Sequence, residues 1–245
     1  MHEKLPTLAH FCAQSGLCSR RKAIEMVKAG LVQVNGCVES NPAYRVQPDD
    51  QVRVDGVLLK IEEFEYVLLN KPEGYLTAVS DERGGRVVTD LIGAGSRLFP
   101  VGRLDLDTTG TLLLTNDGAL AYKLTHPKFE IIKKYRATLD RNLTQRDAQK
   151  LLQGIELFDG PIHFDALSFV AVGGVEGLLH PANRNIVDVT LHSGRNRIIR
   201  RMFDHLGYTV VHLDRTEFAE LTYGNLKRGE SRLLNRNEIK NLLSM

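Results

Sequence analysis

A short apolar run beside a charged segment constrains the fold of this chain more than any other feature. Residues 100–118 read PVGRLDLDTTGTLLLTNDG, in which a leucine triplet follows three aspartate or arginine positions within a few residues. An apolar run bounded by turn residues is typical of a strand that is buried on both faces. We therefore predict a central strand, with a charged loop at the sheet edge where that strand begins.

Beyond residue 60, strand and helix patterns follow one another without regular alternation. Strands are predicted over YVLLN, GTLLLTN, KKYRATLD, NIVDVTLH and YTVVHLD, and helices over TQRDAQKLLQG, NRIIRRMFDHLG and NRNEIKNLLSM. Because the strands are not interleaved with helices, we predict an α+β fold with a mixed or antiparallel sheet.

The first sixty residues predict a separate small domain of two helices and short strands. TLAHFCAQSG has helical spacing and ends at Gly16, while Ser19 is a suitable N-cap for a second helix that ends at Gly30. The alternating runs LVQVNG and QVRVDG close with Asn-Gly and Asp-Gly, which are tight-turn signals. We therefore divide the chain into residues 1–60 and 61–245.

Composition excludes several classes of protein. The 245 residues contain no apolar stretch of the roughly 18 residues that a membrane span needs, and the N-terminus does not have a signal-peptide pattern. Three cysteines, all within the first forty residues, fit neither a disulfide framework nor a zinc site. No GxGxxG motif, P-loop or metal-binding cluster occurs. We expect a cytoplasmic protein without a cofactor or a bound metal.

Positive charge is clustered although the net charge is only +2. SRRK at residues 19–22 and RNRIIRR at residues 195–201 concentrate cations as polyanion-binding surfaces do, although charge runs also occur on solvated helix faces.

The residues alone leave three roles open for Asp105. It can pair with Arg103, bind a metal together with Asp107, or act as a catalytic carboxylate at the sheet edge. Tyr135 taken alone fits a half-buried strand position, and Arg200 taken alone fits a surface cation.

The order of four segments closely resembles the RsuA-like family of ribosomal RNA pseudouridine synthases. These segments are LLNKPEGYL, VGRLDLDTTGTLLLTNDG, LTHPKFEIIKKYRATL and HSGRNRIIRRMFDHLGY. In front of them, SGLCSRRKAIEMVKAGLVQVNG and VQPDDQVRVDG resemble the small αL RNA-binding domain of a ribosomal protein and several RNA-modifying enzymes. The resemblance implies a catalytic domain that follows an RNA-binding domain.

The resemblance also implies a role for particular residues. Asp105 corresponds to the catalytic aspartate, and Arg103 to the arginine that fills the RNA stack when the target uridine leaves it. Tyr135 corresponds to the tyrosine that stacks on the flipped uracil, and Arg200 to the basic residue that pairs with the aspartate. Ile198 stands where the family usually has glutamine. The expected RNA contacts outside the catalytic set are Ser19, Arg20, Arg21, Lys22, Lys28, Asn35, Arg195, Arg197 and Arg201.

The expected function is isomerisation of one uridine of ribosomal RNA, with the large subunit favoured. The aspartate can attack the anomeric carbon or remove a sugar proton, and the sequence leaves both routes open. The expected partner is ribosomal RNA, and the expected oligomeric state is a monomer. The alternatives are a non-catalytic RNA-binding factor in ribosome assembly and a metal-dependent hydrolase that uses Asp105 and Asp107.

Overall fold

The chain forms two compact units that divide between Glu65 and Tyr66, with Gly95 and Arg97 grouped with the first. The computed structural model describes residues 5–93, 95, 97–170 and 184–245. No helix in these ranges is long and apolar enough to cross a membrane.

Two capped helices and a four-stranded antiparallel sheet make up the first unit. The Thr7 hydroxyl accepts a hydrogen bond from the His10 amide, and the Ser19 hydroxyl accepts one from the Lys22 amide, as N-caps do. The sheet has the strand order β2-β1-β3-β4. The elements are α1 (Leu8–Gln14), α2 (Arg20–Lys28), β1 (Val32–Val34), β2 (Cys37–Val38), β3 (Val52–Val54) and β4 (Val57–Leu58).

Both hairpins of this small sheet turn on two left-handed residues. The φ angles are 53° and 83° at Asn35 and Gly36, and 50° and 77° at Asp55 and Gly56. Two consecutive positive φ angles give the turn whose twist matches that of paired strands. The Asn-Gly and Asp-Gly pairs therefore form the turns that the sequence predicted.

The second unit is built on one large sheet with helices packed against it. Its strands are β5 (Tyr66–Lys71), β6 (Phe99–Pro100), β7 (Thr108–Thr115), β8 (Lys133–Leu139), β9 (Ile155–Leu157), β10 (Gly160–Ile162), β11 (Ala166–Phe169), β12 (Ile186–Leu191), β13 (Val210–Phe218), β14 (Leu221–Thr222) and β15 (Ser231–Leu233). Its helices are α3 (Gly118–Thr125), α4 (Gln145–Gln153), α5 (Ile198–His205) and α6 (Arg236–Ser244).

The large sheet is mixed, as predicted. Its order is β11-β12-β8-β13-β7-β5-β15, with β14 paired to β13 and β6 paired to β7. The β13–β7 pair is parallel, and the other pairs along this order are antiparallel. β9 and β10 form a separate hairpin.

The apolar run within residues 100–118 belongs to β7, an interior strand of this sheet. Leu112, Leu113 and Leu114 in β7 are fully buried and pair with β5, while β13 pairs with Thr108–Gly110 at the start of the same strand. Full burial of a leucine stabilises a fold by about 1.5–3 kcal/mol, so this strand is firmly held. The charged segment of residues 102–107 therefore leads directly into a firmly held strand.

Candidate active site

A cavity of about 380 Å³ lies in the second unit beside the start of β7. This volume falls within the usual range of small-molecule sites. The loop before β7, strands β8 and β13 and the start of α5 form its walls. The polar and charged side chains that line it belong to Arg103, Asp105, Thr108, Thr125, Lys133, Tyr135, Ser193, Arg195, Asn196, Arg197 and Arg215.

Asp105 lies on a loop that buried hydrogen bonds hold in place. The fully buried Lys71 donates from Nζ to the carbonyl oxygens of Asp105 and Thr108, at 3.1 and 2.9 Å. The Thr77 hydroxyl donates to the Leu104 carbonyl at 2.6 Å and accepts from the Leu104 amide at 3.2 Å. These bonds fix the backbone on each side of Asp105, while its carboxylate remains one-third exposed.

Lys71 contributes to the electrostatics of the site as well as to its geometry. Burial lowers the pKa of Lys71 from 10.5 to about 8, and the Asp105 and Asp107 carboxylates oppose that change. Lys71 lies in the segment LLNKPEGYL, and the motif order assigned it no role. The available signal was a lysine directly after the predicted strand YVLLN.

Tyr135 and Arg215 lie opposite each other on the antiparallel strands β8 and β13. Side chains at directly opposed positions point to the same face of a sheet. Both of these side chains line the cavity, and so does Lys133, which lies two residues before Tyr135 in β8. The predicted tyrosine is therefore brought to the same cavity as Asp105.

The cation beside Asp105 is Arg197 and not Arg200, so the predicted Asp105–Arg200 pair is wrong. Nη1 of Arg197 lies 3.5 Å from the Asp105 carboxylate and 3.5 Å from that of Asp107. Nη2 of Arg200 instead pairs with the Asp107 carboxylate at 3.0 Å, and Nη1 donates to the Val210 carbonyl at 2.7 Å.

The backbone at the start of α5 explains this arrangement. Arg197 has φ 47° and ψ 31°, which is the left-handed conformation, in the position just before the first turn of the helix. Arg200 lies one turn further along, where its guanidinium is committed to β13 and to Asp107. Asp107 therefore holds α5 through two arginines.

The other predicted RNA contacts of this unit divide into two groups. Arg103 and Arg195 line the cavity, and Arg103 is exposed. Arg195 also donates to the Gly160 carbonyl at 3.1 Å. Arg201 extends to the β9–β10 hairpin, where it pairs with Asp159 and lies 4.3 Å from the centre of the Phe158 ring.

In the first unit, the predicted contacts on α2 are accessible. Arg20, Arg21, Lys22 and Lys28 are exposed, and Lys22 also pairs with Glu25 at 3.3 Å. Ser19 caps the helix, and the Asn35 amide group donates to Asp50 and accepts from the Gln51 amide. The last two side chains thus have defined structural roles, and RNA contact by this set stays a prediction.

Two protein-family models match the chain along the same division. The model of RNA pseudouridylate synthases matches residues 65–205, and the model of the S4 domain matches residues 7–52. The chain belongs to the RNA pseudouridylate synthase family. The family that its motif order resembles is thereby confirmed, as is the RNA-binding domain type in front of it.

Named relatives match this synthase along nearly its whole length. Ribosomal large subunit pseudouridine synthase B of Bacillus subtilis is 41% identical over 234 residues, which cover 95% of this chain and 93% of that protein. An uncharacterized RNA pseudouridine synthase of Mycobacterium leprae is 40% identical over 241 residues, which cover 96% of this chain and 91% of that protein. A solved structure entitled "Crystal structure of pseudouridylate synthase" is 28% identical with a TM-score of 0.67, and the match covers 96% of this chain and 99% of that one.

Proposed function

We propose that this synthase isomerises one uridine of large-subunit ribosomal RNA to pseudouridine, with Asp105 as the catalytic carboxylate. One observation carries the proposal: among the described residues that line the cavity, Asp105 alone bears a carboxylate, and it shares that cavity with Tyr135. The Bacillus subtilis relative, which is named for the large subunit, supports the choice of RNA.

The isomerisation requires that the target base leave the RNA stack before the glycosidic bond breaks. Flipping costs a few kcal/mol and is least costly for unpaired positions. Arg103 is exposed at the cavity, and its planar guanidinium can stack in the gap that the base leaves. Tyr135 offers its ring to the flipped uracil, and Asp105 acts at the ribose.

The position of Arg197 favours an isomerase over a metal-dependent hydrolase. Its guanidinium lies 3.5 Å from both Asp105 and Asp107, where a metal ion bridging the two carboxylates would have to sit. It supplies the positive charge beside Asp105 that an ionised carboxylate in a small cavity requires. We propose that the reaction uses neither a metal nor a cofactor.

The first unit completes the proposal as an RNA-binding domain. The exposed cations on α2 provide phosphate contacts, which supply affinity but little sequence information. We assign residues 1–60 to RNA binding and residues 61–245 to catalysis. We propose that the protein acts as a monomer in the cytoplasm, where Cys12, Cys18 and Cys37, which are free in the structure, would stay reduced.

Tritium release from ribosomal RNA labelled at C5 of uracil tests the catalytic assignment. The wild-type protein should release tritium with EDTA present, and Asp105→Asn should lower the rate more than about 1,000-fold, because the reaction loses its attacking or proton-accepting group. RNA affinity should stay within about three-fold, since the substitution removes no phosphate contact. Small-subunit and large-subunit RNA are tested separately.

Asp188→Asn is the matched control, because it removes an exposed carboxylate that pairs with Arg136 outside the cavity. Retained release in Asp105→Asn would refute the assignment. Free uracil as the product, together with dependence on a divalent ion, would identify a hydrolase.

A further inference from the structure

Arg215 is a buried cation that the proposed roles of Asp105, Tyr135 and Arg197 do not use. It is 2% exposed in β13 and lines the cavity. Its Nε donates to the Thr111 carbonyl at 2.8 Å, and its guanidinium lies 4.6 Å from the centre of the Phe218 ring. Its buried Nη2 has no hydrogen-bond partner among the described residues. A buried donor without a partner is rare in native proteins, and it indicates a ligand when it borders a cavity.

A second cation, Lys133, lines the same cavity. Its Nζ donates to the Ile131 and His192 carbonyls, both at 2.9 Å, which leaves one of the three ammonium protons available. Burial, and to a lesser extent the charge of Arg215, lower the pKa of Lys133 to about 8. The two positive charges therefore lie close enough to repel each other.

Neighbouring acids do not compensate these two charges. Asp214 pairs with Arg228 at 2.8 Å, and Glu217 pairs with Lys134 at 2.9 Å. Among the described residues, neither Arg215 nor Lys133 forms an ion pair with a carboxylate. Two uncompensated cations in a partly buried cavity are costly, so the arrangement suits a ligand that brings negative charge.

The cross-strand geometry places these cations beside the ring of the proposed substrate. Arg215 is opposite Tyr135 in the β8–β13 pair, and Lys133 is two residues from Tyr135 on the same strand. A base stacked on Tyr135 would therefore share one cavity with both cations.

We infer that Arg215 and Lys133 bind the carbonyl edge of the flipped uracil and stabilise the negative charge that this base carries after cleavage. This inference rests on the proposed function. When the C1′–N1 bond breaks, its electron pair leaves with the uracil and spreads over N1, O2 and O4. The ribose is meanwhile held as an ester of Asp105 at C1′, or gives its C2′ proton to Asp105.

The remaining steps restore the balance of atoms. The base turns, the C5–C1′ bond forms, C5 loses its proton and N1 gains one, so that the product is an isomer of the substrate. On the ester route, formation of the C5–C1′ bond breaks the bond from C1′ to the Asp105 oxygen and releases the free carboxylate. On the route through proton loss, Asp105 returns the proton to C2′. Donors that bind the departing uracil more tightly than the intact nucleoside accelerate cleavage without tightening RNA binding.

Leaving-group dependence separates charge stabilisation from a merely structural role. We compare RNA that carries uridine with RNA that carries 5-fluorouridine at the modified position, because fluorine makes the departing base a more stable anion. Single-turnover loss of the substrate nucleoside is measured for the wild-type protein, Arg215→Gln and Lys133→Gln. Lys134→Gln is the control, since it removes an exposed lysine from the adjacent position of the same strand.

With uridine, Arg215→Gln and Lys133→Gln should each lower the rate about 100-fold, as loss of one donor to a developing anion does. With 5-fluorouridine the loss should shrink to about 10-fold or less, because a more stable anion needs less stabilisation. RNA affinity should change less than about three-fold, and Lys134→Gln should behave as the wild-type protein with both substrates. Arg215→Lys should recover part of the rate.

The inference is overturned if both glutamine variants keep the wild-type rate with uridine. It is also overturned if they lose equal factors with both substrates while remaining folded. Urea unfolding shows whether each variant is folded. If Arg215→Gln does not fold, the comparison of the two substrates is made with Lys133→Gln alone. Failure of the proposed function is a different outcome. In that case Asp105→Asn would retain tritium release, regardless of the rates measured for the Arg215 and Lys133 variants.

Discussion

At the scale of single residues, the backbone at the start of α5 determines which arginine lies beside Asp105. Asp105, Tyr135 and Arg103 line one cavity, as the motif order implied. Arg197 and Arg200 are three residues apart at the start of one helix, so both can reach the same loop. Which of them contacts Asp105 depends on the left-handed backbone at Arg197. No residue pattern predicts that conformation at an arginine.

Lys71 gives the first prediction at this scale. Lys71→Met should lower the free energy of unfolding by about 2–4 kcal/mol near pH 7, because three carbonyl groups, those of Pro72, Asp105 and Thr108, lose their donor. The rate of tritium release should also fall, since the loop that carries Asp105 loses its anchor. Urea unfolding measures the first effect and the assay above measures the second.

The pH dependence of this loss follows from the lowered pKa of Lys71. Its pKa is about 8 in the folded protein and 10.5 in the reference state, so the unfolded chain holds the proton over a range where the folded protein has released it. Free energy contributed by Lys71 therefore rises as the pH increases from about 8 to 10.5 and is lost as the pH falls through 8. The difference in unfolding free energy between wild type and Lys71→Met should grow over this range; a constant difference would show that burial does not perturb Lys71.

At the scale of elements, the spacing of apolar residues predicted strands and helices well, but one helix start was not recognised from its capping residue. The five predicted strands and the helices near residues 145, 198 and 236 are present. Helix α3 was missed because Asn116-Asp117-Gly118 has the pattern of a turn. Asp117 instead caps the helix, accepting hydrogen bonds from the Ala119 and Leu120 amides at 3.0 Å.

Gly110 tests how closely β7 and β13 must approach. Its φ is 107°, and a Cβ there would lie 2.3 Å from the Arg215 carbonyl oxygen, which belongs to the backbone and cannot move aside. Gly110→Ala should therefore destabilise the protein by about 3 kcal/mol or more, since it adds backbone strain to overlap. Thermal unfolding provides the measurement.

Gly118→Ala is the matched glycine control for that variant. Gly118 begins α3 with nothing within 4 Å of an added Cβ, so the substitution should leave stability unchanged or raise it slightly. Equal unfolding temperatures for the two variants would show that the β7–β13 contact tolerates more space than the structure implies.

At the scale of the whole molecule, the order of motifs predicted the family and the type of each domain. It could not predict the parallel pairing of β7 with β13. That pairing joins Thr108 to Leu213 and Gly110 to Arg215, across about a hundred residues of chain. Local sequence patterns do not predict the register of strands so far apart in the chain. For this reason Arg215 was not recognised as part of the cavity.

The cations of the first unit give a prediction at this scale. Arg20→Gln combined with Arg21→Gln should weaken RNA binding and reduce the slope of log K against log salt by about 1.5, because two phosphate contacts no longer release counterions. The single-turnover rate at saturating RNA should not change. Filter binding between low and moderate salt provides the slopes.

Arg53→Gln combined with Lys60→Gln removes the same charge from β3 and the segment that follows β4. This control should leave the slope close to that of the wild-type protein. Equal slopes for all three proteins would mean that α2 does not contact RNA phosphates.

The parallel β7–β13 pair also sets when activity can arise during synthesis of the chain. The loop with Asp105 is made early, but one wall of its cavity is a strand that ends at Phe218, near the C-terminus. A nascent chain that has exposed only the first unit and β7 still lacks a complete cavity. We therefore expect isomerisation to require that β13 has been made, and a chain cut before β13 to be inactive.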